Sequence, residues 1–354
     1  MKKVDVIIDL QYGSTGKGLI AGYMATHGKY DTVVNANMPN AGHTFIDGRG
    51  NEMIHKVLPN GVVGKSVKNV MLGAGSIFSL VQLQAELYFL EDFGYSSFNL
   101  WIHEDAVVLT DAHKEAEQTD APLDNIGSTR QGTSAAMIQK IMRNGERNCT
   151  AKVVLKGSYF EDFVISQKEW LEILKDSKEI LLEGAQGYSL GINAGFYPFC
   201  TSRDCTPARF MSDCGIPLPW LRRVIGTCRM HPIRVGGNSG GYYSDQEETT
   251  WAELGQKEER TTVTQRVRRV FTWSNLQIQE AILACQPDQI FLNFCNYDPE
   301  NVDRTLSKIR VAAGMAGCSA EVRYTGWGAT VNDVKAGLMN PCDQSRIEYL
   351  EGNG

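Results

Sequence analysis

The sequence predicts an α/β fold: one large, mainly parallel β-sheet covered by helices and P-loop-NTPase-like in character. Three observations predict it. The apolar run at residues 4–10 breaks directly into a glycine- and lysine-rich turn. Short apolar runs then alternate with helically periodic segments along the chain. The glycine-rich segments fall at strand ends, where open α/β sheets bind their ligands.

Taken in order, residues 4–10 read as a buried strand, and 17–27 as the helix that follows the glycine turn. Residues 32–36 and 70–73 are short apolar runs with strand character. Residues 76–93 place apolar side chains at helical spacing behind a serine cap at the start. Residues 132–143 and 167–175 also read as helices. Residues 179–182 read as a strand ending at Glu183-Gly184-Ala185-Gln186-Gly187. A strand at 224–228, a helix at 272–285, a buried strand at 288–294, a helix at 300–314 and a strand at 320–324 complete the pattern. No repeat or Pro/Ser linker divides the chain, so residues 1–340 are expected to form a single domain, with a polar tail over 341–354.

The 354 residues suffice for a large core. A formal charge of -6 provides no global basic field for nucleic acid, so anionic ligands must be held by local clusters. Nine cysteines without a CxxC pair argue against zinc and for reduced thiols. The start, with Asp5 and Asp9 interrupting its apolar stretch, does not read as a signal peptide, and no run approaches the ~18 apolar residues of a membrane span. A soluble cytoplasmic protein is expected, with no membrane or nucleic-acid partner.

Four segments carry candidate chemistry. Gly13-Ser14-Thr15-Gly16-Lys17-Gly18 is not a Walker A motif, because Gln11 stands where that pattern needs glycine. It still offers glycines, two hydroxyls and a lysine at a helix N-terminus, a setting for phosphate; a plain strand–helix turn is the alternative. Asn40-Ala41-Gly42-His43-Thr44 reads as a polar loop after a short strand, with a histidine able to donate to charge developing on a phosphoryl group. In Glu183 to Gly187, Gln186 carries both donor and acceptor, suiting an amide or lactam edge. Thr261 to Arg269 places Arg266, Arg268 and Arg269 within four positions. That run is either a solvated basic face or a clamp for a dicarboxylate.

In this order the segments resemble the adenylosuccinate synthetase family, which shows G-D-E-G-K-G, N-A-G-H-T, G-T-T, E-G-A-Q-G, Y-P-x-V-T and T-G-R-x-R-R. The counterparts are Gly13 to Gly18, Asn40 to Thr44, Gly127-Ser128-Thr129, Glu183 to Gly187, Tyr197-Pro198-Phe199-Cys200-Thr201 and Thr264 to Arg269, and the likeness spans about residues 4–330. The resemblance implies that family's fold and a carbon–nitrogen ligase. A purine triphosphate would phosphorylate O6 of a 6-oxopurine nucleotide, and the amine of L-aspartate would then displace that phosphate, with Mg2+ across the triphosphate. It implies catalytic roles for Ser14, Lys17, His43 and Gln186. Triphosphate contacts would come from Ser14, Thr15, Gly16, Lys17, Gly18, Gly42, His43 and Thr44, and on the far side from Asn293, Asn296, Gly326 and Gly328. The acceptor nucleotide would meet Ser14, Asn40, Ser128, Thr129, Gln186, Thr201 and Val235, and Arg143 reaching across a homodimer interface. Aspartate would meet Thr262, Val263, Thr264, Arg266 and Arg268. Ser14 and the Gly42 carbonyl would be near the metal.

Two departures sharpen the expectation. The family's aspartate removes the N1 proton of the 6-oxopurine; Ser14 stands there instead and is no base near neutral pH without an activating partner. Its short side chain leaves room for an amine at C2 of the purine. A branch of the family from bacteriophages with 2-aminoadenine in their DNA has this kind of replacement and condenses dGMP with aspartate to N6-succino-2-amino-2′-deoxyadenylate. The second departure sets Asn293-Phe294-Cys295-Asn296 against T-K-L-D, whose aspartate reads the guanine of GTP. ATP or dATP is therefore the expected donor. The competing expectations are an ordinary family member acting on IMP with GTP, and a catalytically silent nucleotide-binding protein.

Overall fold

The computed structural model describes residues 2–120, 122–261 and 265–337. The strands of its main sheet and of one hairpin, in chain order, begin with β1 (Val4–Asp9), β2 (Thr32–Asn35), β3 (His43–Ile46), β4 (Glu52–His55), β5 (Asn69–Leu72) and β6 (Asn99–His103). They continue with β7 (Val164–Ile165), β8 (Ile180–Glu183), β9 (Leu221–Arg229), β10 (Gln289–Asn293), β11 (Glu321–Gly326) and β12 (Val334–Ala336). Ten of them form one sheet in the order β12-β11-β10-β9-β1-β8-β2-β5-β6-β7. Every pairing is parallel except that of β12 on β11. β3 and β4 make a separate antiparallel hairpin.

All six residues of β1 are buried, as a strand covered on both faces requires. Val4, Val6 and Ile8 face one core, with Trp170, Phe210, Ile278 and Leu306. Ile7 faces the other, with Leu19, Ile20, Phe45 and Leu83. Each such fully buried aliphatic side chain contributes roughly 1.5–3 kcal/mol. Trp170, wholly inside, satisfies its indole by donating to the Cys214 carbonyl at 2.9 Å.

The helix after the first loop, α1, runs Lys17–His27, as its pattern predicts. The helix expected from residue 76 starts later, at Leu80–Asp92. Ser79 rather than Ser76 caps it, accepting from the Gln82 amide, because Ile77–Phe78 first makes a short strand. His43 lies not in a loop but at the start of a strand, paired opposite His55.

The strand ends bring the chemistry together. In register, Asp9 lies beside Thr227, Ile7 beside Glu183, and Arg229 beside Asn293. β1 is flanked by β8 and β9, so the chain order reverses there, and the first loop opens at this switch point.

Candidate active site

The first loop is built around Asp9, the last residue of β1. One carboxylate oxygen accepts from the amides of Gln11 (2.8 Å) and Gly13 (3.2 Å). The other accepts from the Thr15 hydroxyl (2.5 Å) and the Lys17 ammonium (3.0 Å), with all four groups buried. The aspartate folds the loop and neutralises Lys17 in place. Thr15 also meets the Thr227 hydroxyl at 2.5 Å, so its side chain faces inward and only its main chain can serve a triphosphate. Gly16 caps α1 in the left-handed region, at φ 90°, and no side chain among the described residues caps the helix. The amides of that first turn are thus presented to an anion together with the positive end of the helix. Ser14 is exposed, at φ 56°.

Asn293, expected on the triphosphate, is instead a buried wedge. Its amide donates to the Thr15 carbonyl at 3.2 Å and accepts from the Phe294 amide at 2.8 Å. A Cβ on Gly16 would stand 2.1 Å from its nitrogen, and one on Gly326 would stand 2.0 Å from its oxygen. Asn293 and Gly326 therefore shape the loop from behind. Gly328 is likewise crowded by the Asp333 carboxyl, while Asn296 is exposed. Phe294 stacks on the Arg229 guanidinium, 3.8 Å from its ring centroid.

Across the loop, His43 places Nδ1 2.5 Å from Oε1 of Glu183, at the end of β8. Glu183 also accepts from the Asn60 main-chain amide at 2.7 Å and side-chain amide at 3.2 Å. Burial would raise the Glu183 carboxyl, but the hydrogen bonds from His43 and Asn60 outweigh it and hold it below the ordinary carboxylate range. The pair fixes the imidazole and leaves Nε2 for a ligand. Gly42 and Thr44, on either side, are exposed.

Beside this centre lies a cavity of about 340 Å³. Asn40, Ser128, Thr129, Gln186, Thr201 and Val235, which the resemblance assigns to the acceptor nucleotide, all line it; Ser14 does not. Its polar groups are oriented. Gln186, at φ 56°, donates to Asn40 Oδ1 at 3.1 Å and accepts from Arg203 at 3.3 Å, and Asn40 donates to the Thr201 hydroxyl at 3.3 Å. Arg203, fully buried, also donates to the Ala36 carbonyl and contacts Asp213. Arg143 is exposed at the end of the helix Thr133–Met142, outside this cavity.

The arginine segment forms a hairpin closed by the bridge of Arg260 with Val267. Arg266 is exposed and Arg268 half-buried. Thr262, Val263 and Thr264 lie outside the described residues. Glu259, at the root of the hairpin, is gripped by the buried Arg229 at 2.5 and 3.2 Å and by the Tyr297 hydroxyl at 3.0 Å. Burial would raise the Glu259 carboxyl, but Arg229 and Tyr297 keep it below the usual range.

Sequence reasoning gave no role to Asp9, Glu183, Arg203, Arg229 or Glu259. Only Glu183 carried a local signal, standing at a strand end inside a singled-out motif. Among the described residues no group of three or more His, Cys, Asp or Glu could hold a metal, and no helix is long and apolar enough to cross a membrane.

The family model of adenylosuccinate synthetase matches residues 6–161 and 148–316. The N6-succino-2-amino-2′-deoxyadenylate synthase of Vibrio phage phiVC8 is 54% identical over 339 residues, covering 95% of this chain and 98% of the relative. The enzyme of the same name from Acinetobacter phage SH-Ab 15497 is 40% identical, over 96% and 94%. The structure of cyanophage S-2L succinoaminodeoxyadenylate synthetase, bound to dGMP and to dATP as an energy donor, superposes with a TM-score of 0.88 at 35% identity, over 99% of both chains. Fully ligated adenylosuccinate synthetase from Plasmodium falciparum has the same fold, with a TM-score of 0.76 at 19% identity over 95% of this chain and 100% of that one. With its parallel sheet, the match of the family model and these relatives, the chain belongs to the adenylosuccinate synthetase family.

Proposed function

We propose that the protein is a ligase condensing dGMP with L-aspartate, driven by ATP or dATP, to N6-succino-2-amino-2′-deoxyadenylate for 2-aminoadenine nucleotide synthesis. The observation that carries this reading is the acceptor cavity of about 340 Å³, beside a first loop whose position 14 is a short, exposed serine and whose aspartate, Asp9, is committed to four donors. The phage relatives, and the S-2L enzyme with its bound dGMP and dATP, support the same assignment.

In this reading the γ-phosphoryl group passes to O6 of the guanine, and the aspartate amine displaces that phosphate at C6. Lys17 and the amides of the first turn of α1 hold the triphosphate oxygens. His43, oriented by Glu183, turns Nε2 toward the phosphoryl group to which charge spreads. Asn40, Ser128, Thr129 and Thr201 hold the 5′-phosphate, Val235 lies against the sugar, and Gln186 presents an amide of fixed orientation to the base. Arg266 and Arg268 clamp the two carboxylates of aspartate bidentately, and Thr262, Val263 and Thr264 are further aspartate contacts in this reading. The donor base lies by Phe294 and Asn296. Arg143, exposed at its helix end, reaches the partner's acceptor site in a homodimer.

The oxygens present suit magnesium. The exposed Gly42 and Ser14 offer a carbonyl and a hydroxyl, hard donors too few to form a protein cage, as expected of an ion completed by phosphate oxygens and water. When bound, Mg2+ supplies charge neutralisation across the phosphates.

Incubation of the protein with aspartate, magnesium and ATP, once with dGMP and once with IMP, tests the proposal by product mass. Succinylated 2-aminodeoxyadenylate from dGMP is expected. Turnover of IMP alone would mark an ordinary adenylosuccinate synthetase, and binding without phosphate release from either would mark a silent protein.

A further inference from the structure

Arg229 ends β9 and is completely buried, yet it contacts three segments that carry different substrates in the reading above. Toward the first loop, its Nη1 donates to the Ser14 carbonyl at 3.1 Å. Its main chain is also pinned there: the Arg229 amide donates to the Gln11 side-chain oxygen at 2.9 Å, and its carbonyl accepts from the Gln11 side-chain nitrogen at 3.2 Å. Toward the arginine hairpin, both terminal nitrogens engage Glu259. Toward the donor-base segment, the guanidinium plane lies on Phe294, and Tyr297 completes the enclosure through its hydroxyl on Glu259.

This geometry exceeds what packing requires. A buried guanidinium is costly unless its charge is matched, and breaking one partner of such a pair leaves an uncompensated charge; both terminal nitrogens of Arg229 are matched, while its Nε has no hydrogen-bond partner among the described residues. Here the matching partners are not one element of the core but three separate segments of the site: a glycine turn, the root of a hairpin and a left-handed loop residue, Phe294, at φ 58°. The planar fork allows one side chain to hold a carbonyl and a carboxylate at once while stacking on a ring, which a lysine cannot reproduce. Glu259 in turn sets the hairpin: its carbonyl accepts from the Arg268 amide at 2.8 Å, so a shift of Glu259 moves Arg268 directly.

We propose that Arg229 is a positioning residue that couples the two halves of the reaction, locking the hairpin that carries Arg266 and Arg268 to the main chain of Ser14 through Glu259. The aspartate site is thereby assembled in register with the first loop, and a loop displaced from Arg229 leaves the hairpin unset. The inference rests on the hairpin being the aspartate site.

The test is steady-state kinetics of the full chain with R229M, R229K, E259Q and the double variant R229M/E259Q, each substrate varied with the others saturating. Coupling through one pair predicts that R229M and E259Q each raise the KM for aspartate about tenfold or more while the KM for dGMP stays within about threefold, and that the double variant is no worse than the worse single. R229K keeps the charge but loses the fork, so it too raises the aspartate KM. R229K and E259Q decide the matter if R229M does not fold. Equal rises in both KM values, unchanged aspartate KM in the folded variants, or single effects that multiply in the double would overturn the coupling. Wild-type turnover independent of aspartate would overturn the reading of the hairpin itself, a failure visible before any variant is made.

Discussion

Nδ1 of His43 and Oε1 of Glu183 approach to 2.5 Å inside the protein, joining the β3–β4 hairpin to the end of β8. The carboxylate fixes the ring and leaves the opposite nitrogen free for a ligand. Glu183→Gln keeps the shape but removes the negative charge and one of the two acceptor oxygens, so only one of the Asn60 contacts can persist. We expect kcat to fall about 10²-fold with substrate KM values little changed, because the lost interaction strengthens as charge develops. Rapid-quench measurement of phosphoryl transfer would check this; an unchanged rate would remove Glu183 from the chemistry.

Ser14 sits at φ 56°, a conformation that aspartate adopts with less strain than most residues. Ser14→Asp should therefore fold normally. Its carboxylate would fill the space the serine leaves open, so kcat/KM for dGMP is expected to drop at least ~10-fold, with a gain for IMP. Initial rates on both nucleotides test it. Unchanged selectivity would show that position 14 does not choose the purine.

Asn296 is exposed on the segment after β10, with an amide that both donates and accepts. Asn296→Asp would leave only acceptors, which match the N1–H and 2-amine of guanine. The preference for GTP over ATP should rise by about 10-fold, the scale of one or two recognised hydrogen bonds. Competition between the two triphosphates reads this out, and an unaltered ratio would place the donor base elsewhere.

His55 lies opposite His43 in the hairpin, buried, and neither ring nitrogen has a hydrogen-bond partner among the described residues. Burial lowers its pKa to about 4, against a smaller upward pull from Glu183 and with a further lowering by His43. The unfolded chain takes up this proton below about pH 6.5, whereas the folded protein resists until about 4. The stability tied to a neutral His55 is thus complete above pH 6.5 and is lost as pH falls toward 4, on the order of 3 kcal/mol. His55→Leu should flatten this part of the profile. Urea unfolding at about pH 7.5 and about pH 4.5 would show it, and parallel losses in wild type and variant would refute it.

Much of the fold was legible because β1, β8, β9 and β10 each carry a short, mostly apolar run and the helices that cover them are periodic. The β3–β4 hairpin was not, since His43 to Ile46 and Glu52 to His55 are four-residue strands of mixed polarity. Residues 99–103 and 164–165 pair only because β5 and β6 offer an edge, which no local pattern announces. In the site, motif residues such as Asn40, Gln186 and Thr201 came together as expected. What escaped were inward-facing partners. Thr15 looked like a ligand hydroxyl but serves Asp9 and Thr227, and Arg229 meets Glu259 across 30 positions of sequence. Such pairings depend on which strands are neighbours, and that is a property of the sheet order.

The wedge of Asn293 between Gly16 and Gly326 has a consequence for how this chain can diverge. Neither glycine can gain a methyl while the asparagine stays, and shortening the asparagine would leave a hole beneath the loop. Sterically these three distant positions can change only together: a chimera that swaps residues 1–30 for a sequence with a side chain at position 16 must bring across matching residues near 293 and 326, or the hybrid will inherit a collision at its centre.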